Sequence, residues 1–91
     1  MHHIFVINPA AGSRNAEASL RPAIEKIAAE LGLQATCYVT ASASDAAQFV
    51  RNTCQKGEAV RFYACGGDGT LNEVVNGAAG FENAEVACIP T

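Results

Sequence analysis

The stretch Gly66-Gly67-Asp68-Gly69-Thr70 determines how the rest of this sequence is interpreted. It follows a short apolar run, residues 60–65, and it precedes an amphipathic segment that begins at Leu71. This order predicts a strand, a tight loop and a helix. Glycine lets the backbone come close to a ligand because it has no Cβ atom. A glycine loop at a helix N-terminus is a common phosphate-binding site, since the first N–H groups of the helix point at the ligand.

The alternation of apolar runs and amphipathic segments continues over the whole chain. Runs rich in β-branched and aromatic residues predict strands at 3–7, 34–39, 60–65 and 85–89. Apolar residues at helical spacing predict a helix after each of the first three strands. The inner row of the first helix should be Leu20, Ile24, Ile27 and Leu31. Ser42 with Asp45 resembles a capping box that opens the second helix.

This pattern is typical of a three-layer α/β/α domain, in which a parallel sheet has helices on both faces. Such sheets bind ligands beyond the carboxyl ends of their strands, where the strand order reverses. The loops after the first and third strands should both lie at that edge. No linker or repeat interrupts the pattern, so residues 1–91 are interpreted as one domain. A domain of this length is near the small end of what buries a self-sufficient core.

Composition excludes several classes of function. The chain is 49% hydrophobic and 16% charged, with a formal net charge of -3 and no stripe of Lys or Arg. These features argue against a nucleic-acid partner, which needs phosphate neutralisation. No apolar run approaches the roughly 20 residues that span a bilayer, and a cytoplasmic location follows by default. The four cysteines, Cys37, Cys54, Cys65 and Cys88, have no metal-binding spacing and are expected to be reduced and buried.

A second loop follows the first strand, at Asn8-Pro9-Ala10-Ala11-Gly12. Proline has no N–H to donate to a sheet and restrains the residue before it, so the strand must stop here. Taken alone, Asn8-Pro9 could be a plain turn. Its position at the same sheet edge as the glycine loop favours contact with a shared ligand.

Together these loops carry a family resemblance. The string G-G-D-G-T-L-N-E-V-V-N-G at 66–77 resembles the nucleotide-binding signature of the diacylglycerol kinase catalytic domain family, which includes bacterial lipid kinases, ceramide kinases and sphingosine kinases. The run at 8–12 resembles the N-P-x-x-G motif of that family. The resemblance implies the N-terminal domain shared with NAD kinases, with ATP and Mg²⁺ as cofactors. It further implies transfer of the γ-phosphate of ATP to the hydroxyl of a diacylglycerol-like or sphingoid lipid.

The resemblance also implies roles for individual residues. Asp68 would be catalytic, either by holding Mg²⁺ through water or by acting as a base, and the sequence does not choose between the two. The N–H groups of Gly67, Gly69 and Thr70 would face phosphate oxygens. The full set expected to bind the nucleotide is Asn8, Pro9, Gly12, Arg14, Gly66, Gly67, Gly69, Thr70, Asn72 and Glu73.

Four of these assignments have a structural alternative. Asp68 could be the N-cap of the third helix, and Glu73 could offset the helix dipole in its first turn. Asn72 could be an ordinary surface residue, and Arg14 an ordinary solvated arginine. Asn76-Gly77 is expected to close the third helix rather than to bind a ligand.

The resemblance covers the whole chain but only the first portion of a family catalytic unit. Family members continue into a further nucleotide motif and a β-rich second domain, which carries most of the lipid site. We therefore expect a truncated segment that binds ATP and is inactive alone. The intact protein would take a lipid alcohol and could contact a membrane peripherally, and the fragment could self-associate through the sheet edge near 85–89. The alternatives are a segment of an NAD kinase or phosphofructokinase, which share G-G-D-G, and a non-catalytic flavodoxin-like binding module.

Overall fold

The computed structural model describes residues 1–8, 16–42 and 44–89, and for residues 16–19 it describes the backbone only. Four strands alternate with three helices. Their order is β1 (His2–Ile7), α1 (Ala16–Leu31), β2 (Gln34–Val39), α2 (Asp45–Cys54), β3 (Val60–Cys65), α3 (Asp68–Ala78) and β4 (Ala84–Ile89). The four predicted strands are confirmed to within one residue, and so is the α/β class.

All four strands are parallel, and they lie in the order β2-β1-β3-β4. The chain therefore runs outward from β1 to β2, returns across β1 to β3, and continues outward to β4. This reversal places the switch point of the sheet between β1 and β3. A crevice that can hold a ligand forms at such a point, beyond the carboxyl ends of the strands.

One face of the sheet carries the main core, a cluster of buried residues from α2, α3, β1 and β3. Phe62 is fully buried in this cluster, together with Val6 of β1 and the helical residues Val50 and Val74. Branched and aromatic side chains fill this layer because both faces of a parallel sheet must be shielded from water.

The second and third helices are in close contact at Gly77. A Cβ atom placed there would lie 2.5 Å from the carbonyl oxygen of Ala47 and 2.8 Å from the Cβ of Val50. Gly77 is therefore a helix–helix contact inside α3, and the expectation that Asn76-Gly77 ends the helix is wrong. The helix runs to Ala78, and Gly80, at φ +85°, provides the left-handed residue that follows it.

The opposite face is covered less completely by α1. Ile24 is buried as predicted, but Ile27 and Leu31 are 52% and 66% exposed, so half of the predicted inner row is wrong. The cause is the position of the helix, which packs against β2 at one side of the sheet. Ile27 consequently borders a cavity of about 250 Å³ between α1 and the sheet instead of a filled core.

Two local expectations also need correction. The N-cap of α2 is Ser44, which makes no side-chain capping bond. The predicted capping box of Ser42 and Asp45 is not formed, because the Asp45 carboxylate accepts hydrogen bonds from Tyr38 and Ala41 instead. All four cysteines are free, but only Cys54 and Cys65 are buried, whereas Cys37 is half-buried and Cys88 is exposed. The last two lie on the outer strands β2 and β4, where less of the molecule covers them.

Replacing Gly77 by alanine should destabilise the domain. The added methyl group would meet a backbone carbonyl that cannot rotate away, so the gain of about 1 kcal/mol in helix propensity is outweighed by an overpacking cost of about 1–3 kcal/mol. Urea unfolding followed by circular dichroism would measure the difference. Asn76→Ala, at an exposed position of the same helix, is the control and should change stability by less than about 0.5 kcal/mol. Equal stability of Gly77→Ala and wild type would contradict the close contact.

Candidate functional site

Three strand ends meet at the carboxyl edge of the sheet. The N–H of Asn8, just after β1, donates to the carbonyl of Cys65 at the end of β3, at 3.4 Å. The N–H of Thr40, just after β2, donates to the carbonyl of Ile7 at 2.9 Å. The structure thus brings Asn8 directly beside the residue that precedes the glycine loop. Thr40 is a neighbour that sequence reasoning missed, because it belongs to neither of the two loop motifs.

The glycine loop opens α3 earlier than the sequence indicated. Gly67 is the N-cap residue, with extended φ/ψ of -87° and -167°, and the helix begins at Asp68 rather than Leu71. The apolar spacing begins only at Leu71, so periodicity alone could not detect the first turn. The N–H groups of Thr70 and Leu71 both donate to the carbonyl of Gly67, at 3.1 and 3.2 Å.

That pairing changes which donors can face a ligand. The Thr70 N–H already has an acceptor in the carbonyl of Gly67, within the first helical turn, and its role as a phosphate donor stays a prediction. The N–H groups of Asp68 and Gly69 have no intrahelical acceptor, since they belong to the first residues of the helix. The positive end of the helix dipole adds to their attraction for an anion.

The fold itself does not require glycine at positions 67 and 69. Neither residue has positive φ, and a Cβ atom at either would meet nothing within 4 Å. Both are exposed, whereas Gly66 is buried. The backbone at Gly67 and Gly69 is therefore bare of side chains and open to solvent, and a ligand can approach it closely.

Two buried oxygen atoms near this helix start have no hydrogen-bond partner. They are the hydroxyl Oγ1 of Thr70, a residue only 1% exposed, and the carboxyl Oε1 of Glu73. A buried polar atom without a partner costs about 1–3 kcal/mol, so most such atoms in native proteins are paired. Both lie on α3 within its first two turns, next to the bare backbone of the loop.

The remaining predicted site residues are distributed as follows. Asp68 is exposed in the first turn and follows the N-cap, so the alternative that it is the N-cap is wrong. Asn72 is exposed. Glu73 is half-buried in the second turn of α3, so the alternative that it offsets the helix dipole from the first turn is wrong. Pro9, Gly12 and Arg14 lie outside the described residues.

Burial determines the protonation state of the Cys65 thiol, which directly precedes the glycine loop. Cys65 is fully buried at the end of β3, and burial, with a smaller effect of neighbouring Cys37 and Cys88, raises its pKa to about 11. The thiol is therefore protonated at neutral pH. It is a packing residue beneath the glycine loop and not a nucleophile.

Two cavities in the described part of the molecule lie away from the candidate site. The cavity under α1 and a second cavity of about 400 Å³ at the amino ends of the strands are lined by none of the predicted site residues. Over the ranges that the structure describes, no three His, Cys, Asp or Glu side chains form a metal cluster. Mg²⁺ is commonly held by one or two carboxylates together with phosphate oxygens, and the exposed Asp68 is a carboxylate at this helix start that could contribute to such a site.

Comparison with known proteins agrees with this arrangement. The model of the family "Diacylglycerol kinase catalytic domain" matches residues 2–91. A protein of Bacillus subtilis (strain 168) named "Putative lipid kinase YtlR" is 33% identical over 93 residues, which are 98% of this chain and 29% of that protein. The structure titled "A putative diacylglycerol kinase from Bacillus anthracis str. Sterne" superposes with a TM-score of 0.73 at 27% identity, covering 98% of this chain and 32% of that chain.

The chain therefore belongs to the diacylglycerol kinase catalytic domain family. It spans less than one third of the length of the relatives named above. The loops after β1 and β3, from which the resemblance was drawn, both fall within the matched region. Among the helices that the structure describes, none has the length and apolar character needed to span a membrane.

The burial of Cys65 gives a test of how the loop is held. In the native protein at pH 8, iodoacetamide should modify exposed Cys88 at least tenfold faster than Cys65, because Cys65 is inaccessible and its thiolate form is scarce. Mass spectrometry of peptides over a labelling time course would measure both rates. In urea the two rates should converge. Fast labelling of native Cys65 would show that the end of β3 opens readily.

Proposed function

We propose that residues 1–91 form the ATP-binding part of a lipid kinase. In this proposal the phosphates lie on the bare backbone at the start of α3, beside Asn8. The observation that carries the proposal is the buried Thr70 hydroxyl without a partner, at a helix start where glycine is not required for the fold. A phosphate oxygen is the acceptor that such a hydroxyl lacks.

The donors and acceptors at this edge of the sheet match the phosphates and the ribose of a nucleotide. Asp68 and Gly69 offer N–H groups to phosphate oxygens, and the Thr70 hydroxyl can donate as well. The unpaired carboxyl oxygen of Glu73 can accept a hydrogen bond from a ribose hydroxyl. Pro9, Gly12 and Arg14 are proposed on the family resemblance, as is the exposed Asn72. Bound ATP supplies the phosphoryl group that is transferred.

The acceptor is proposed to be the hydroxyl of a lipid. The family match and the name of the Bacillus subtilis relative support this class, and both favour it over NAD kinase or phosphofructokinase. Because the chain spans less than one third of that relative, we propose that residues outside 1–91 supply most of the lipid site. Residues 1–91 alone are then expected to bind nucleotide without transferring phosphate.

Two further proposals concern association. The structure has β4 at one edge of the sheet, and an unpaired edge strand can pair with another chain. Self-association of residues 1–91 would use this edge. In the intact protein, access to a lipid hydroxyl would require peripheral contact with a membrane.

Replacing Thr70 by valine should change stability and nucleotide affinity in opposite directions. The free protein gains about 1 kcal/mol, since an unpaired buried hydroxyl is replaced by a methyl group of the same shape. Affinity for Mg²⁺·ADP falls about fivefold to tenfold, since one hydrogen bond to phosphate is lost. Urea unfolding and titration of amide NMR shifts would measure the two effects.

Thr53→Val is the matched control for this experiment. The Thr53 hydroxyl donates to the carbonyl of Phe49 on α2, away from the glycine loop. This variant should leave Mg²⁺·ADP affinity unchanged. If wild type at millimolar Mg²⁺·ADP shows no shift at Asn8 or at 66–70, the ATP-binding proposal is wrong and a non-catalytic module becomes the better description.

Asp68→Asn should separate the two roles open to this carboxylate. In a longer protein that contains this segment and phosphorylates a lipid, either role predicts a loss of turnover of at least about 100-fold. If Asp68 holds Mg²⁺ through water, the variant should also lose most of the gain in ADP affinity that Mg²⁺ gives. If it acts only as a base, that gain should persist. Glu82→Gln, at an exposed acid between α3 and β4, is the control and should alter neither quantity.

A further inference from the structure

A second polar cluster lies one strand away from the site, where β2 leads into α2. The Tyr38 hydroxyl donates to both carboxylate oxygens of Asp45, at 2.8 and 2.9 Å. The N–H of Ala41 donates to Asp45 Oδ2 at 2.7 Å. An acidic residue in the first turn commonly serves its own helix. Asp45 instead uses its carboxylate to hold the strand and loop that precede the helix.

Aromatic packing fixes the donor in this cluster. The ring of Tyr38 stacks on Phe49 of α2, with centroids 3.7 Å apart and an interplanar angle of 2°. The hydrogen bond to Asp45, together with burial and the negative charge of Asp45, raises the pKa of Tyr38. The hydroxyl therefore remains a donor at neutral pH. A ring held on one face and at its tip has little rotational freedom left to lose.

The cluster connects to the candidate site through the backbone. Ala41, held by Asp45, directly follows Thr40, which is 8% exposed and whose N–H donates to the carbonyl of Ile7 at 2.9 Å. Asn8 follows Ile7, and its N–H donates to the carbonyl of Cys65 at 3.4 Å. Each step from Asp45 to Asn8 is therefore a covalent bond or a hydrogen bond.

We infer that Asp45 is a positioning residue for the nucleotide site, acting through Thr40 and Ala41 to hold the end of β1 where Asn8 meets the ligand. This inference rests on the proposed function, since Asn8 must contact the nucleotide. A loop already ordered before binding loses less conformational entropy when the ligand arrives, and affinity rises accordingly. Asp45 itself need not touch the ligand.

The test uses Asp45→Asn and Tyr38→Phe. The first variant keeps size but leaves a single acceptor oxygen for two donors, and the second removes the hydroxyl while preserving the ring that stacks on Phe49. Gln48→Ala is the control, because the exposed Gln48 side chain bonds Asn52 on α2 and not the cluster of Tyr38, Ala41 and Asp45. We expect Mg²⁺·ADP affinity to fall about threefold to tenfold in both variants and to stay constant in the control. Each protein is first shown to be folded by thermal melting.

A second measurement needs no nucleotide. Hydrogen exchange of the Thr40, Ala41 and Asn8 amides should accelerate about tenfold in Asp45→Asn, whereas Val6 and Ala64 in the middle of the sheet should exchange as in wild type. The two substitutions combined should be less than additive, because they disrupt one network.

The possible results separate the two proposals. Faster exchange at Asn8 together with weaker Mg²⁺·ADP binding supports Asp45 as a positioning residue. Unchanged exchange at Asn8, or faster exchange with wild-type affinity, would overturn that role. If wild type shows no response to Mg²⁺·ADP, the proposed function fails, and the role of Asp45 at a nucleotide site fails with it. Faster exchange at Asn8 in Asp45→Asn would in that case still establish a connection from Asp45 to the end of β1.

Discussion

The parallel pairing of β1 with β3 is the constraint on which the rest of the structure depends. These strands are distant in sequence, and a parallel pair needs a long crossover between them. The chain makes that crossover after first placing β2 on the far side of β1, so the strand order reverses between β1 and β3. The reversal leaves the loops after these strands next to each other. The hydrogen bond from Asn8 to Cys65 is the direct product of this topology.

The same pairing determines which residues of the glycine loop are buried and which are exposed to a ligand. Because β3 is a buried central strand, Cys65 and Gly66 are enclosed, and the chain reaches solvent only at Gly67. The helix then begins at once, so its first N–H groups lie at the edge of the sheet. Thr70, in this first turn, is only 1% exposed, and its buried hydroxyl lies beside the loop without an acceptor. The glycine loop therefore has a buried base at Cys65 and Gly66 and an exposed backbone at Gly67 and Gly69.

Much of this arrangement could be predicted from the sequence, for identifiable physical reasons. Strand positions follow from apolar runs bounded by loops, and the glycine loop and Asn8 were assigned to one sheet edge because parallel strands end together. The start of α3 could not be found, since Asp68 to Thr70 carry no apolar periodicity. The exposure of Ile27 and Leu31 was missed because a helical row shows which side is apolar, but not where the helix sits on the sheet. Gly77 was mistaken for a terminator because its function depends on Ala47 and Val50 of another helix.

Asp45 shows why local motifs can mislead about a site. Ser42 and Asp45 have the spacing of a capping box, and this local interpretation leaves Tyr38 without a role. In the structure Tyr38 donates to Asp45, and Asp45 in turn accepts from Ala41, so the acid serves the preceding strand rather than its own helix. A strand end held in this way can keep a neighbouring loop in place without contacting a ligand. The precision of a binding edge then depends on residues one strand away from it, which a motif search centred on the glycine loop does not reach.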